Sequence, residues 1–273
     1  MTATETTANL EELKAKQQKT WSSGDYGKIA WLTAPLGDVL CDAVDLRAGA
    51  TVLDVATGTG HVALAAARRF CDVTGADYVP TLLGTARRRA DAEGLTVEFR
   101  EEDAEGLSFA DASFDYVLSA IGVMFTTDHQ QAADELARVC RPGGVIGMVN
   151  WTPTGFVGEM LTTVGRHVPP PAGAKPPPLW GTEEYVRELL GDHVRDATFD
   201  VWSIRPRFPS PEFFAEFFVT NYGPTLKANQ SLDEQGRSAF RDDLVALAQR
   251  WNSAANGTFV ADWEFLVVAA TRA

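Results

Sequence analysis

The stretch that decides the fold is Thr51-Val52-Leu53-Asp54-Val55-Ala56-Thr57-Gly58-Thr59-Gly60-His61-Val62-Ala63. Its first half is an aliphatic and β-branched run, which is typical of a parallel strand that is covered on both faces. Its second half is a glycine-rich turn that leads into the helical pattern of residues 62–70. A strand, a tight turn and a helix N-terminus together allow a ligand to approach bare backbone. We therefore expect a cofactor to bind at this turn.

Strands and helices alternate along the chain after this turn. Strict alternation implies right-handed crossovers, and hence a mostly parallel sheet with helices on both faces. Two triple-proline runs then interrupt this alternation of strands and helices, because proline fits neither a helix interior nor an inner strand. The pattern predicts strands at 51–55, 72–76, 96–100, 114–119, 144–151, 198–205 and 259–271, and helices at 61–70, 80–93, 129–140 and 182–190.

One domain that carries two insertions accounts for this organisation. Residues 1–47 form an N-terminal helical segment, with a charged helix near 10–19 and an amphipathic helix that starts at Pro35. Residues 48–151 form the cofactor-binding core. Residues 152–195 and 206–258 form two insertions that we expect to cap the site.

The composition argues against several classes of function. The 273 residues carry a formal net charge of −13, which is unfavourable for binding nucleic acid or an anionic membrane. No apolar run approaches the ~20 residues that a membrane-spanning helix requires, and the polar N-terminus has no signal-peptide pattern. Three scattered cysteines, with no Cys-x-x-Cys pair, predict neither a disulfide framework nor a zinc site. We expect a cytoplasmic protein without a metal ion, present as a monomer or a homodimer.

Two kinds of cofactor are compatible with the glycine turn alone. Gly58-x-Gly60-x-x-Ala63 satisfies a loose form of the dinucleotide fingerprint, so an NAD(P)-dependent oxidoreductase is one interpretation. Asp77 ends the second strand, where either cofactor would need an acid for its ribose. Asp54, just before the glycines, would repel a pyrophosphate but would suit an ammonium group. The acidic run 101–105 follows the third strand, and the dinucleotide fingerprint requires no such acids.

When the motifs Phe114-Asp115-Tyr116-Val117 and Pro142-Gly143-Gly144 are added, the chain resembles the class I S-adenosylmethionine-dependent methyltransferases. Within that family it is most similar to the ubiquinone/menaquinone-biosynthesis type. The resemblance is strong over 50–150 and looser to the end of the chain. It implies a Rossmann-like, doubly wound sheet of seven strands whose last strand is antiparallel, with helical insertions that roof the site. It also implies S-adenosylmethionine at the carboxyl edge of the first and fourth strands.

The resemblance assigns roles to individual residues. Asp77 would bind both ribose hydroxyls, and Asp103 would accept a hydrogen bond from the adenine amino group. Asp54 would orient the amino group of the methionine portion, although capping of the following helix is an alternative role. Tyr78 would pack on the adenine, and Tyr26 belongs to a segment that would close over the cofactor. The predicted cofactor-binding residues are Tyr26, Asp54, Ala56, Gly58, Gly60, Asp77, Tyr78, Asp103, Ala104, Glu105 and Ser119.

Catalysis of methyl transfer from a sulfonium depends mainly on alignment of the nucleophile and exclusion of water. A base is needed only when the acceptor is protonated at neutral pH. The candidates are His129, which begins a helix past the fourth strand, and His167, which precedes the proline loop. His61, on the glycine turn, is interpreted as structural.

The insertions are rich in aromatic residues, which indicates an apolar acceptor. Some of these side chains are expected in the core, and the others are expected to line a pocket for a small, largely apolar or aromatic molecule. The sequence does not distinguish methylation at oxygen, carbon or nitrogen. A methyltransferase fold with changed chemistry also stays open, because fold does not fix chemistry. The aromatic set is Phe156, Trp180, Phe213, Phe214, Phe217, Phe218 and Tyr222.

Overall fold

The structure, a computed structural model, describes residues 3–171 and 173–273. The strands are β1 Thr51–Val55, β2 Asp72–Asp77, β3 Glu98–Glu101, β4 Phe114–Ala120, β5 Cys140–Trp151, β6 Val194–Ile204, β7 Arg207–Phe208, β8 Phe259–Val260 and β9 Trp263–Arg272. The α-helices are α1 Ala3–Trp21, α2 Tyr26–Thr33, α3 Pro35–Ala43, α4 His61–Arg68, α5 Pro80–Glu93, α6 His129–Val139, α7 Phe156–His167, α8 Glu183–Leu190, α9 Pro211–Asn221, α10 Gly223–Ser231 and α11 Glu234–Trp251. In these two ranges, no helix combines the length and the apolarity needed to cross a membrane.

Seven strands form the central sheet in the order β3-β2-β1-β4-β5-β9-β6. The strands β1 to β5 are parallel, and β9 runs antiparallel to both of its neighbours, β5 and β6. This confirms the predicted α/β architecture: a doubly wound, Rossmann-like sheet with an antiparallel last strand. The quoted stretch supplies the central strand β1, and four of its five residues are buried.

The direction in which the sheet grows reverses at β1. From β1 the chain moves outward to β2 and β3, and it then returns to β4 and moves to β5 on the other side. Because parallel crossovers are right-handed, α4 and α5 cover one face of the sheet and α6 covers the other. The loops after β1 and β4 therefore diverge, and a crevice opens between them at the carboxyl edge.

Several element boundaries differ from the expected ones. The predicted strand 259–271 is divided, because Phe259–Val260 pairs with Arg207–Phe208 in a separate two-stranded ribbon. The long strand β9 starts only at Trp263. Helix α1 begins at Ala3 rather than near residue 10, and it ends at Trp21 rather than near residue 19.

An aromatic cluster fixes the insertions above the carboxyl edge. Phe156 of α7 is fully buried and stacks on Trp263 of β9, with ring centroids 5.8 Å apart and planes inclined by 17°. It also meets Phe214 of α9 at 5.3 Å and Phe259 of β8 at 5.5 Å. Such large apolar contacts dominate packing energetics, so α7 and α9 are joined firmly to the sheet. Most of the predicted aromatic set is therefore core.

Candidate active site

A cavity lies at the carboxyl edge of the sheet, where β1 and β4 diverge. Its floor consists of the turn at 55–59 and the residues that follow β2, β3 and β4. Its roof consists of side chains from α1, α2, α7 and α9. One half of the lining is polar and acidic, and the other half is aromatic.

The glycine turn presents bare backbone to this cavity. Ala56 and Gly58 both line it, and both have φ of +54°. A Cβ added to Gly58 would meet no atom within 4 Å, so that this position faces open space. Gly60 (φ +88°) is turned away, and a Cβ there would lie 3.2 Å from the Cβ of Ala86 on α5. Gly58 is thus open to a ligand, whereas Gly60, contrary to the prediction, serves the packing of the turn against α5.

Asp77 is buried at the end of β2 and lines the cavity. Its Oδ2 accepts a hydrogen bond from Gly58 N, and its Oδ1 accepts one from Val79 N, both at 2.8 Å. Burial raises the pKa of this carboxyl to about 6, although the two hydrogen bonds act in the opposite direction. Each oxygen retains a lone pair that can accept a hydroxyl hydrogen from a ligand. The position suits the predicted role in binding ribose.

The loop after β3 places two more carboxylates beside the cavity, and Lys14 of α1 bridges them. Lys14 Nζ lies 2.6 Å from Asp103 Oδ2 and 2.7 Å from Glu105 Oε2. Burial lowers the pKa of Lys14, but hydrogen bonds to both carboxylates outweigh this effect and raise it. Glu105 Oε1 also accepts the backbone N–H groups of Thr127 and Asp128. Lys14 therefore covers the acid that was predicted to bind adenine.

Helix α1 closes the polar half of the cavity through contacts with three loops. Gln18 Nε2 donates to the carbonyl of Tyr78 at 2.5 Å, and Gln17 Nε2 donates to the carbonyl of Phe125 at 3.3 Å. Together with Lys14, these side chains reach the loops after β2, β4 and β3.

Replacing Lys14 with methionine is expected to loosen α1, since the apolar stem is kept while both ion pairs are lost. Lys14 is partly exposed although the side chain of Glu105 is buried, so we expect a loss of only about 1 kcal/mol in docking of the helix. Cleavage of α1 by thermolysin should become several-fold faster under native conditions. Lys16→Met, which removes an exposed lysine of the same helix, is the matched control. Equal cleavage rates for the two variants would contradict the role of Lys14.

Asp54 does not reach the cavity, contrary to the predicted contact with the methionine amino group. It is fully buried beneath the turn, where its Oδ2 accepts the hydroxyl of Thr57 at 2.5 Å and the N–H of Ala63 at 2.9 Å. Burial raises the pKa of this carboxyl to about 7, although both hydrogen bonds lower it in part. Asp54 therefore satisfies an otherwise unpaired N–H in the first turn of α4, which was the alternative role.

Ser119 also lies below the cavity rather than in its wall. Its hydroxyl donates to the carbonyl of Val55 at 2.8 Å and accepts the N–H of Val123 at 3.2 Å. These bonds tie β4 to β1. The next two residues, Ala120 and Ile121, line the cavity in its place.

Neither histidine that was predicted to act as a base lines the cavity. His129 is buried under α8, with Nδ1 2.9 Å from the hydroxyl of Tyr185, and burial lowers its pKa to about 4. His167 Nε2 lies 2.7 Å from Asp243 Oδ2 of α11, on the outer side of the insertion. The pattern placed His129 correctly at the start of a helix and His167 before the proline loop, but it could not show which way either side chain points. No group of three or more His, Cys, Asp or Glu side chains in the described ranges could hold a metal ion.

The aromatic half of the cavity begins where α1 ends. Trp21 packs edge-on against Phe125 at 4.8 Å and against Tyr222 at 6.3 Å. Tyr26 meets Tyr222 at 6.1 Å, and its hydroxyl accepts the N–H of Gly223. Burial raises the pKa of both tyrosines, so that their hydroxyls stay protonated at neutral pH. This half therefore offers flat apolar surface and neutral hydroxyl groups.

The predicted residues that the structure brings together at the cavity are Tyr26, Ala56, Gly58, Asp77, Tyr78, Asp103, Ala104 and Glu105. Sequence reasoning missed Lys14, Trp151 and Trp263, which also line it. Trp151 ends β5, and the rule that ligands lie at the carboxyl ends of parallel strands could have found it. Trp263 begins the antiparallel β9, so its start lies at that same edge. No sequence signal pointed to Lys14, because its partners are about 90 residues away.

Comparisons with known proteins agree with this architecture. The family model described as a methyltransferase domain matches residues 52–144. An uncharacterised protein of Mycobacterium tuberculosis is 42% identical over 267 residues, which is 96% of each chain. The demethylmenaquinone methyltransferase of Thermus thermophilus is 44% identical over 116 residues, or 41% of this chain and 53% of that enzyme. The solved YcgJ protein of Bacillus subtilis shares the fold, with a TM-score of 0.60, 18% identity, and coverage of 86% of this chain and 97% of that one.

Proposed function

Because this chain belongs to the family of methyltransferase domains, we propose that it binds S-adenosylmethionine and transfers the methyl group to a small, largely apolar acceptor. The observation that carries the proposal is one cavity with two unlike halves. Asp77 and Asp103 lie in its polar half, and the rings of Trp21 and Tyr222 lie in its aromatic half. A nucleoside and an apolar acceptor can therefore occupy the two halves side by side.

The polar half has the donors and acceptors that the cofactor requires. Asp77 can accept both ribose hydroxyls as charge-assisted hydrogen bonds, since its two oxygens are fixed by the N–H groups of Gly58 and Val79. Asp103 can accept a hydrogen bond from the adenine amino group once Lys14 yields, and Tyr78 lines the same region. When bound, S-adenosylmethionine supplies a methyl group that is already activated on a sulfonium.

The aromatic half can align the acceptor and exclude water from it, but its side chains are not suited to acid–base chemistry. Tyr26 and Tyr222 stay protonated, and His61, the one histidine among the cavity residues described, has its pKa lowered to about 3 by burial and by Arg89. None of these groups can act as a base at neutral pH. The protein would therefore hold the acceptor in line and exclude water. The net charge of −13 favours a small neutral acceptor over nucleic acid.

Neither the family nor the named relative supports the oxidoreductase alternative. The Thermus thermophilus relative is a demethylmenaquinone methyltransferase, and its likeness to this chain is confined to 41% of the residues. That likeness covers less than half of the chain, so we extend to this protein only the proposal of a small, largely apolar acceptor.

Calorimetry with S-adenosylhomocysteine tests the proposal directly. We expect a single site per chain, and absence of binding to the folded protein would overturn the assignment. A panel of neutral aromatic acceptors, assayed by release of S-adenosylhomocysteine, then tests the transfer reaction. Binding of S-adenosylhomocysteine without methyl transfer to any acceptor would favour the alternative that the protein has a methyltransferase fold but catalyses a different reaction.

A further inference from the structure

The hydroxyl of Tyr222 is a polar group in the cavity wall that the fold itself does not use. Tyr222 connects α9 to α10, is buried, and lines the aromatic half of the cavity. No hydrogen bond joins its hydroxyl to a residue whose side chain the structure describes, and burial alone raises its pKa. Its oxygen is not one of the unpaired side-chain atoms that are sealed from solvent, such as His129 Nε2 and Trp263 Nε1. The hydroxyl is therefore open to the cavity.

Contacts on several sides hold the ring of Tyr222 in place. Its centroid lies 5.7 Å from that of Phe218, 6.1 Å from that of Tyr26 and 6.3 Å from that of Trp21. The backbone carbonyl of Tyr222 accepts the N–H of Leu226 in the first turn of α10 at 2.8 Å. The position of the hydroxyl is thus set before a ligand binds, which lowers the entropic cost of a hydrogen bond to that ligand.

The packing of the insertion does not account for this hydroxyl. A phenylalanine at position 222 would meet the same three rings with the same apolar surface. A buried hydroxyl without a partner costs free energy on folding, so phenylalanine would suit a purely structural role better. A ligand that pairs with the hydroxyl inside the cavity does account for it.

Tyr222 is suited to act as a hydrogen-bond donor. Burial raises its pKa and that of the neighbouring Tyr26, so both phenols keep their hydrogen at neutral pH. The two phenols are close enough that Tyr222 itself contributes to the raised pKa of Tyr26. The oxygen of Tyr26 already accepts the N–H of Gly223, which leaves its hydrogen for a further partner. A phenol donates more strongly than it accepts, because the electrons of its oxygen are delocalised into the ring. The ligand is therefore expected to present an oxygen to this side of the cavity.

The charges around the cavity determine which kind of oxygen can bind there. Of the described residues that line it, Lys14 is the only lysine or arginine, and Asp103 and Glu105 hold it in the polar half. A carboxylate placed against Tyr222 would be buried without a counter-ion, which is costly. An uncharged oxygen, such as that of a carbonyl group, does not carry this cost.

We propose that Tyr222 is a specificity-determining residue that donates a hydrogen bond to an uncharged, carbonyl-type oxygen of the methyl acceptor. The surrounding rings bind the apolar body of the acceptor, and the hydroxyl recognises this oxygen. The oxygen is a recognition group, whichever atom receives the methyl group. The inference rests on the proposed function, because it requires the acceptor to occupy the aromatic half of the cavity.

Three rigid ligands of similar shape test the proposal: 1-indanone, indane and indane-1-carboxylate. Their binding is measured by tryptophan fluorescence in the presence of saturating S-adenosylhomocysteine, since Trp21, Trp151 and Trp263 line the cavity. Tyr222→Phe should weaken binding of 1-indanone about fivefold and leave that of indane nearly unchanged, because only the ketone loses a hydrogen bond. The wild type should bind the carboxylate more weakly than the ketone. Tyr185→Phe removes a hydroxyl that contacts His129 outside the cavity, and it is the matched control.

The carbonyl stretching frequency of bound 1-indanone is a second measurement, and it needs no variant. In the wild-type complex it should be lower than in an apolar solvent, because a hydrogen bond weakens the C=O bond. The proposal would be overturned by a frequency equal to that in the apolar solvent, by equal effects of Tyr222→Phe on the ketone and on indane, or by tighter binding of the carboxylate. Failure of the wild type to bind S-adenosylhomocysteine would instead overturn the proposed function, so the two failures are distinguishable.

Discussion

Asp54→Asn is expected to stabilise the ligand-free protein at pH 8 by up to about 4 kcal/mol and to leave its stability at pH 4 nearly unchanged. The carboxyl of Asp54 is fully buried, and its pKa in the folded state is raised to about 7. A raised pKa means that the folded state holds the proton more tightly than the unfolded chain. The contribution of Asp54 to stability is therefore complete below about pH 4, and it is lost as the pH rises to 7.

Asparagine has nearly the same shape and keeps an acceptor for Ala63 N–H, but it cannot ionise. Urea unfolding between pH 4 and pH 8 measures the free energy of unfolding of the variant and of the wild type. The difference between the two free energies should grow as the pH increases. Asp72→Asn, which removes an exposed carboxylate from β2, controls for the change in net charge. If the difference in free energy of unfolding between variant and wild type stays constant over this range, the pKa of Asp54 is not raised by burial.

Asp77→Ala is expected to weaken binding of S-adenosylhomocysteine by about 1–3 kcal/mol, or roughly 5- to 150-fold. The substitution removes the charged acceptor for the ribose and also frees the N–H groups of Gly58 and Val79. Calorimetry at pH 7.5 measures the effect. Glu101→Gln is a close control, since Glu101 is exposed and pairs with Asp77 in the register of β3 and β2.

The pH dependence of binding provides an independent check on Asp77. Its pKa is about 6, and the ionised form accepts both ribose hydroxyls better than the protonated form. Wild-type affinity should therefore increase as the pH rises from 5 to 7, and binding should release fewer protons at the higher pH. Asp77→Asn should remove most of this increase. An unchanged pH profile in that variant would assign the ribose to another residue.

The sequence predicted the fold and the polar half of the cavity because both depend on local patterns. In the sequence, α4 follows directly after β1 and the glycine turn. The alternation of strands and helices makes the strands parallel, so the loops that follow them lie at the carboxyl edge of the sheet. Asp77 and Asp103 are found by their position at strand ends. The same logic misplaced Asp54, because strand periodicity does not show which of two buried faces carries a side chain.

The remainder of the site depends on contacts that are distant in the sequence. Lys14 meets Asp103 across 89 positions, and Thr33 meets His61 between two separate helices. His129 was predicted from its place at a helix start and His167 from its place before the proline loop, but the orientation of α6 and α7 is set by packing against α8 and α11. Tertiary packing, which has no signature in a single sequence, determines these positions.

The antiparallel strand β9 also imposes an order on biosynthesis. The residues of the polar half that follow β1, β2, β3 and β4 lie within positions 55–126, and they emerge from the ribosome together. Trp263 belongs to β9, which is inserted between β5 and β6 and is made last. A nascent chain therefore carries the loops of the polar half well before it can complete the wall to which Trp263 contributes. During that interval β5 pairs only with β4 and β6 lacks its sheet neighbour, so premature release would expose an edge of each strand to aggregation.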